Sequence, residues 1–336
     1  MRADRILLAH GSGGTMMREL IEDVFMGRFT DPALLRMDDA ASLEVSGGRI
    51  AMSTDTYVVQ PVFFPGGDIG RLAVCGTVND IATSGATPLY LTVGFVLEEG
   101  FAVEDLRRIV ETMASSAEEA GVRIVTGDTK VVDRGHGDGV FVNTAGVGVL
   151  RDGVDLSGSN CEPGDKVLLS GTLGDHGIAV ISVREGLAFS TDIVSDAAPL
   201  GKLTAAVLEA APGVRCFRDP TRGGLSSTLN ELATASGVSI TVHETEVPVH
   251  DQVRGACEML GYDVFQVANE GKMVAVVPAE EAEAALSAMR TAPYGEDAAI
   301  VGEVSQGPAG KVYVATGFGA KRIMDMLVGE QLPRIC

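Results

Sequence analysis

The sequence has no tryptophan, and aromatic residues make up 5% of its 336 positions. Its cores must therefore be packed from Ala, Val, Leu, Ile and Met; the apolar share, 46%, is ample for that. Basic residues are scarce, 26 Lys and Arg against 46 Asp and Glu, for a net charge of −20. Nucleic acid binding needs a basic footprint, and none is visible. No C-x-x-C occurs and the five cysteines are odd in number, which argues against a zinc site and a disulfide framework. A reducing compartment fits that usage. No apolar run approaches bilayer length. The start, MRADRILLAHGSGG, lacks the long apolar core of a signal peptide, so the expectation is a cytoplasmic protein. A P-loop is also missing, and the N-terminal glycines fail G-x-G-x-x-G because the sixth position is Met16.

What is present begins with length and glycine. A chain of 336 residues predicts two domains. Its 42 glycines predict many turns and close backbone approaches. LYLTVGFVL (89–97), RIVT (123–126) and GVFVNTAGVGV (139–149) read as strands. Between them, VEDLRRIVETMASSAEEAG places apolar residues at helical spacing, with Gly121 as its stop. The polar, Gly-rich stretch RDGVDLSGSNCEPGDK marks a boundary. We place domains at 1–155 and 156–329, and a tail at 330–336. Beyond the boundary the pattern predicts a strand at KVLLSG and helices near 175–185, 197–211, 222–236, 251–260 and 279–290. Strands are expected at 238–243, 273–278, 298–304 and 311–315. GAKRIMDMLVG reads as a closing helix stopped by Gly329. Strands and helices mix without a regular βαβ series, which predicts an α+β fold in both halves. The tail EQLPRIC cannot continue a helix through Pro333. Extended, its seven residues reach about 24 Å, enough for the thiol of Cys336 to visit a cleft.

Several aspartates sit beside strands: Asp38 and Asp39 in MDDAAS, Asp55 in STDTYV, Asp80 in TVNDIATSGATP, Asp128 in TGDTKVV and Asp219 in RDPTRGGL. Any one of them reads as a turn or cap residue. Together they read as a magnesium–phosphate site assembled from separate segments. Adjacent Asp38 and Asp39 would face opposite ways in a strand. HGSGG, residues 10–14, offers N–H donors to phosphates, with His10 as a lid or a surface residue. RDPTRGGL opens a helix whose N-terminus could take an anion, or simply be capped by Thr221. Lys130 follows Asp128 by two, and Glu270 precedes Gly271 in ANEGK; an ion pair and a turn carboxylate are the plain alternatives.

The combination of the Gly-rich start, MDDAAS, STDTYVV, GTVNDIATSGATPLYLT, TGDTKVV, RDPTRGGL and ANEGK resembles the aminoimidazole-ribonucleotide synthetase-like (PurM-like) superfamily of ATP-using enzymes. The ending PRIC narrows the resemblance to the carbamoyl dehydratase family of hydrogenase maturation. It runs from about residue 5 to the last. The resemblance implies two α+β-type domains and a homodimer formed through the N-terminal sheet, with ATP in a cleft near that interface. It implies Asp38, Asp39, Asp80 and Asp219 as magnesium ligands. His10, Gly11, Gly13, Gly14, Asp55, Asn79 and Asp128 would serve ATP and its phosphates. Cys336 would carry a carbamoyl group received from the carbamoyltransferase HypF. Glu270 would act as base, and Lys130 would orient the group beside the thiol. The cyano product would pass to a HypC–HypD complex.

The chemistry explains these parts. Converting S–C(=O)–NH2 to S–C≡N removes water, and hydroxide is a poor leaving group. Phosphorylating the carbamoyl oxygen makes it leave as phosphate. A small-molecule kinase or synthetase of the same superfamily is the alternative, and a non-catalytic carrier a third.

Overall fold

The structure, a computed structural model, describes residues 5–26, 28–29, 31–186, 193–327, 332 and 334–336. Gly329, expected to stop a helix, and Pro333 lie outside them. Two sheets organise the chain. The N-terminal sheet contains β1 (Ala41–Val45), β2 (Gly48–Tyr57), β3 (Ala86–Glu98), β4 (Arg123–Val132) and β5 (Val140–Leu150), in the spatial order β1-β2-β5-β3-β4. All neighbours are antiparallel except β3 and β4, which run parallel. That parallel pair is joined by helix α2 (Val103–Ala120), which ends on Gly121 in the left-handed conformation, as its sequence predicts.

The sheet has one covered face. Helix α1 (Ile69–Thr83) starts at Asp68, whose carboxylate accepts the N–H groups of Gly70 and Arg71. Its Leu72, Ala73 and Val78 join Ile109 and Met113 of α2 and Leu91, Val93 and Val142 of the sheet in one core. α1 is buried nearly all round, because a second domain packs on its outer side. The sheet's other face is bare: Met52, Tyr90 and Val149 are exposed there. Edge strand β4 is exposed along almost its whole length, including Val125 and Val131.

The C-terminal sheet has seven strands: β6 (Lys166–Leu169), β7 (Cys216–Arg218), β8 (Ser239–His243), β9 (Val274–Val277), β10 (Ala299–Ser305), β11 (Lys311–Ala315) and β12 (Lys321–Ile323). Their order is β12-β11-β8-β10-β6-β9-β7. β9 shows why its residues read as a continuous apolar run. Val274 and Val276 face a core shared with Leu225, Leu229 and Leu232 of α5 (Gly224–Ser236). Ala275 and Val277 face the opposite core, shared with Leu203 of α4 (Gly201–Ala210) and Met289 of α7 (Ala282–Thr291). A strand buried on both faces needs no polar alternation. α3 (Asp175–Arg184) and α6 (Asp251–Leu260) pack together at one side.

The expected closing helix over 319–329 is not formed at its start. Lys321–Ile323 instead extend the sheet, pairing with Tyr313–Ala315, and the Met324 N–H donates to Val312 O. An open sheet edge outweighs the helical spacing of a short segment. The α+β architecture itself stands as expected.

Candidate active site

A cleft of about 480 Å³ lies between the two halves. β2 supplies one wall. Its alternation turns Ser53, Asp55 and Tyr57 toward α1. Tyr57 Oη donates to Asp55 at 3.0 Å and Ser53 Oγ donates to Asp80 at 2.6 Å. Gly76 of α1 lets the phenol fit, since a Cβ there would collide with Tyr57 Oη. Asp38 and Asp39 point apart. Asp38 accepts from Gly158 N at 3.0 Å and Arg36 Nε at 2.9 Å, tying the interdomain segment to the cleft rim. Asp39 pairs with Arg218 at 2.8 Å, and its second oxygen is buried without a partner. The opposite wall is Arg218, Asp219 and Arg222, just before α5, with Glu231 within it. Gly13 and Gly14 close one end.

The carboxylates crowd a poorly solvated space. Burial, then Asp55, Asp219 and Asp39, push Asp80 well above the usual aspartate range. Asp39 is raised by burial against the pull of Arg218. Asp219 rises to about 6, through burial and then Asp55. Such a set favours a cation or protons. Among the described residues, no three His, Cys, Asp or Glu side chains form a metal cage alone. A magnesium ion needs none: it takes one or two carboxylates and completes its shell with phosphate oxygens and water. The unpartnered Asp39 oxygen and the mutually raised carboxylates fit that manner of binding.

The last residue of the sequence enters the same cleft. Val58 N–H donates to Cys336 O at 3.1 Å and Gln60 N–H to Arg334 O at 3.2 Å, so Arg334–Cys336 lies antiparallel along 58–60. Ile335 is buried in the N-terminal core, and Arg334 pairs with Asp138 at 2.6 Å. The Cys336 thiol lies within hydrogen-bonding reach of Glu270, and burial followed by Glu270 pushes it well above the usual thiol range. Arg222 pulls the other way. Glu270 is itself raised well above the usual range by burial, then Asp219, Asp196 and Asp55. Its Oε1 is buried with no partner. A carboxylate so placed binds a proton more tightly than an exposed one.

Not every expected residue reaches this cleft. Gly13, Gly14, Asp38, Asp39, Asp55, Asp80, Asp219, Glu270 and Cys336 line it; His10, Gly11, Asn79, Asp128 and Lys130 do not. His10 Nδ1 accepts the Leu7 N–H, and Gly11 O accepts from Arg222. Asn79 ties the two halves: its amide donates to Ala198 O at 3.0 Å and accepts from Leu200 N at 2.8 Å. Lys130 is not beside the thiol of its own chain. It pairs with Asp128 at 2.6 Å on β4, both strongly exposed. Three strand spacings, about 14 Å, separate β4 from β2. Nor does Thr221 cap α5, whose N-cap is Gly223 in the left-handed conformation. Sequence reasoning missed Ser53, Tyr57, Arg218, Arg222 and Glu231 as cleft residues. All lie in or beside stretches it singled out, Glu231 in the helix that RDPTRGGL opens, and Arg218 and Arg222 were visible as the cations flanking Asp219.

Comparison with known proteins agrees with this architecture. The family described as AIR synthase related protein matches through its N-terminal domain at residues 37–150 and its C-terminal domain at 162–315. Carbamoyl dehydratase HypE of Azotobacter vinelandii is 54% identical over 336 residues, covering 100% of this chain and 98% of that protein. The Escherichia coli HypE is 47% identical over 338 residues, covering 99% and 100%. Among solved structures, HypE in a HypE–HypF complex superposes with a TM-score of 0.87 at 50% identity, covering 92% of this chain and 99% of that one. HypE in complex with ATP gives 0.84 at 48%, covering 99% and 100%. With relatives this similar along its whole length, the chain belongs to the carbamoyl dehydratase HypE family, within the AIR synthase related proteins.

Proposed function

We propose that this chain matures hydrogenases as an ATP-dependent carbamoyl dehydratase acting on an S-carbamoyl group carried by its own Cys336. The observation that carries this reading is the Cys336 thiol seated against Glu270 inside the acidic cleft. The carbamoyl oxygen attacks the γ-phosphorus of ATP; an O–P bond forms, the bond to ADP breaks, and the nitrogen gives up one proton. The C–O bond then breaks, phosphate departs with its electron pair, and the second N–H proton leaves as C≡N forms. Glu270 takes a proton from that nitrogen, and its raised affinity for protons suits it to the task. Arg222, facing the thiol, steadies negative charge at the carbamoyl oxygen. Gly13 and Gly14 contribute backbone to the phosphate end, with Asp55 beside it. Asp39, Asp80 and Asp219 would hold magnesium, which when bound neutralises phosphoryl charge. Asp38 sits at the rim of that set.

The finer assignments rest on particular features. The bare sheet face and the exposed β4 support a homodimer. A twofold axis along the strands would set β4 of one copy across from β1 and β2 of the other, so Asp128 and Lys130 would complete a neighbour's cleft. The donor of the carbamoyl group would be HypF and the acceptor of cyanide a HypC–HypD complex, with the 330–336 tail travelling between them. The division at residue 155 falls in the segment that Asp38 pins, leaving 1–155 and 156–329 as the two domains. The odd cysteine count and a working thiol fit the cytoplasm. No described helix is long and apolar enough to cross a membrane.

The test is the mass of the C-terminal peptide after incubation with carbamoyl phosphate, magnesium ATP and the carbamoyltransferase. Cys336 should gain a carbamoyl group and then lose one water, the second step requiring hydrolysable ATP. An unmodified Cys336 alongside an active partner would exclude the tail as substrate.

A further inference from the structure

The mechanism above uses no histidine, yet one is wholly buried beside the tail. His176 stands in the first turn of α3 and has no exposed surface. Its Nε2 lies 2.8 Å from Ile335 O and its Nδ1 lies 2.8 Å from Ser195 Oγ. A carbonyl can only accept, so Nε2 carries the proton. Nδ1 therefore accepts from the Ser195 hydroxyl, whose oxygen in turn accepts the Ala197 N–H at 3.2 Å. Each polar atom along this Ile335–His176–Ser195–Ala197 relay has a partner of the right kind. Burial lowers the pKa of His176, which keeps the ring neutral and the proton on one nitrogen. Phe64 meets the ring edge-on at 5.4 Å and fixes its plane.

The other hydrogen bonds on the described part of the tail are of another kind. Val58 and Gln60 offer main-chain N–H groups that any sequence would supply. Arg184 and Arg334 bind at the exposed rim. His176 is a fully buried side chain, aimed at the carbonyl immediately before the reactive residue. A cysteine that must leave the cleft and return needs a contact that is good when seated and broken when out. A buried neutral hydrogen bond supplies it, because departure leaves the Nε2 proton and the Ile335 carbonyl without each other.

We propose that His176 is a positioning residue that latches the tail at Ile335 O and so sets how often Cys336 lies beside Glu270. This rests on the reading that Cys336 carries the reacting group.

The test is alkylation of the full chain with iodoacetamide, followed by mass of the C-terminal peptide. The other four cysteines are buried. His176→Ala should raise the labelling rate of Cys336 about tenfold, the worth of one buried hydrogen bond. His176→Gln, whose amide N–H can take the place of Nε2–H, should restore slow labelling. Single-turnover loss of water from carbamoylated Cys336 follows the seated fraction, whereas labelling follows the open one, so in His176→Ala it should slow by less than labelling rises, with ATP affinity unchanged. Labelling of a folded His176→Ala at the wild-type rate would overturn the latch. If that variant does not fold, Ser195→Ala, which frees Nδ1, is read by the same rule: faster labelling supports the latch and an unchanged rate overturns it. Alkylation needs no carbamoyl chemistry. Absence of water loss from the wild-type protein would therefore sink the dehydratase reading while the labelling still decides the latch.

Discussion

Glu270 with Asp219 in the cleft, and Asp128 with Lys130 on β4, are built from the same kinds of side chain and behave oppositely. In the cleft, burial and neighbouring carboxylates raise Asp219 to about 6 and hold Glu270 well above the usual carboxylate range. On β4, the hydrogen bond from Lys130 holds Asp128 below the usual range, in full contact with water. The first pair holds its protons more tightly than free carboxylates do; Asp128 gives its proton up more readily than one. What separates them is the layer in which the fold sets them, not the residues beside them in sequence. The β4 pair lies off the cleft of its own chain, and in the proposed dimer it would be available to a second copy lying on the bare sheet.

The sharpest way to break this contrast is Glu270→Gln, which leaves a side chain of the same size without the base. Loss of water from carbamoylated Cys336 should fall by about 10²–10⁴-fold, while carbamoyl loading and ATP binding persist. A loss under tenfold, measured by single-turnover mass spectrometry, would move the proton transfer elsewhere. Lys130→Ala should cost less, roughly 10–10²-fold, and its interest lies in mixing. If Lys130 serves a neighbouring cleft, co-refolding it with Glu270→Gln leaves one intact composite site in each mixed dimer. About one quarter of wild-type activity should return. No recovery from mixed dimers would put Lys130 to work in its own chain, against the placement of β4.

The two regions also differ in how far they could be read from sequence. The helix from Val103 to Ala120 and the strands around it follow from spacing and from Gly121, because each is a local pattern with a local stop. The acidic motifs could be singled out one by one, and all but TGDTKVV line one cleft. What was not legible is depth. Nothing in TGDTKVV distinguishes an edge strand open to water from a cleft wall; sheet order decides that, and sheet order is a long-range property. Asn79 lies off the cleft lining for a related reason: α1 is covered on its outer side by Ala198 and Leu200, 119 and 121 residues away. The closing helix failed because the open edge of β11 was invisible from Lys321–Ile323 alone. His176 carried no sequence signal, since its partner is a main-chain carbonyl 159 residues distant.

The smallest effect tests the electrostatics of the cleft without catalysis. Asp219 has a folded pKa of about 6, against 3.8 for an ordinary aspartate. The folded state therefore binds this proton more tightly than the unfolded state, and its contribution to stability is full below pH 3.8 and lost as pH rises through about 6. Above that, the buried charge costs stability on the order of 2–3 kcal/mol. Asp219→Asn removes the charge and keeps the shape. In protein free of magnesium and nucleotide, it should raise the melting temperature by a few degrees at pH 8. The gain should roughly halve by pH 5 and fade by about pH 4. Adding magnesium ATP should favour the wild type instead, because a ligand that binds only the folded state stabilises it in proportion to its affinity. A variant no more stable than wild type at pH 8 in thermal unfolding would mean that Arg218 and Arg222 already neutralise this wall, and that the cleft is less strained than Glu270 needs.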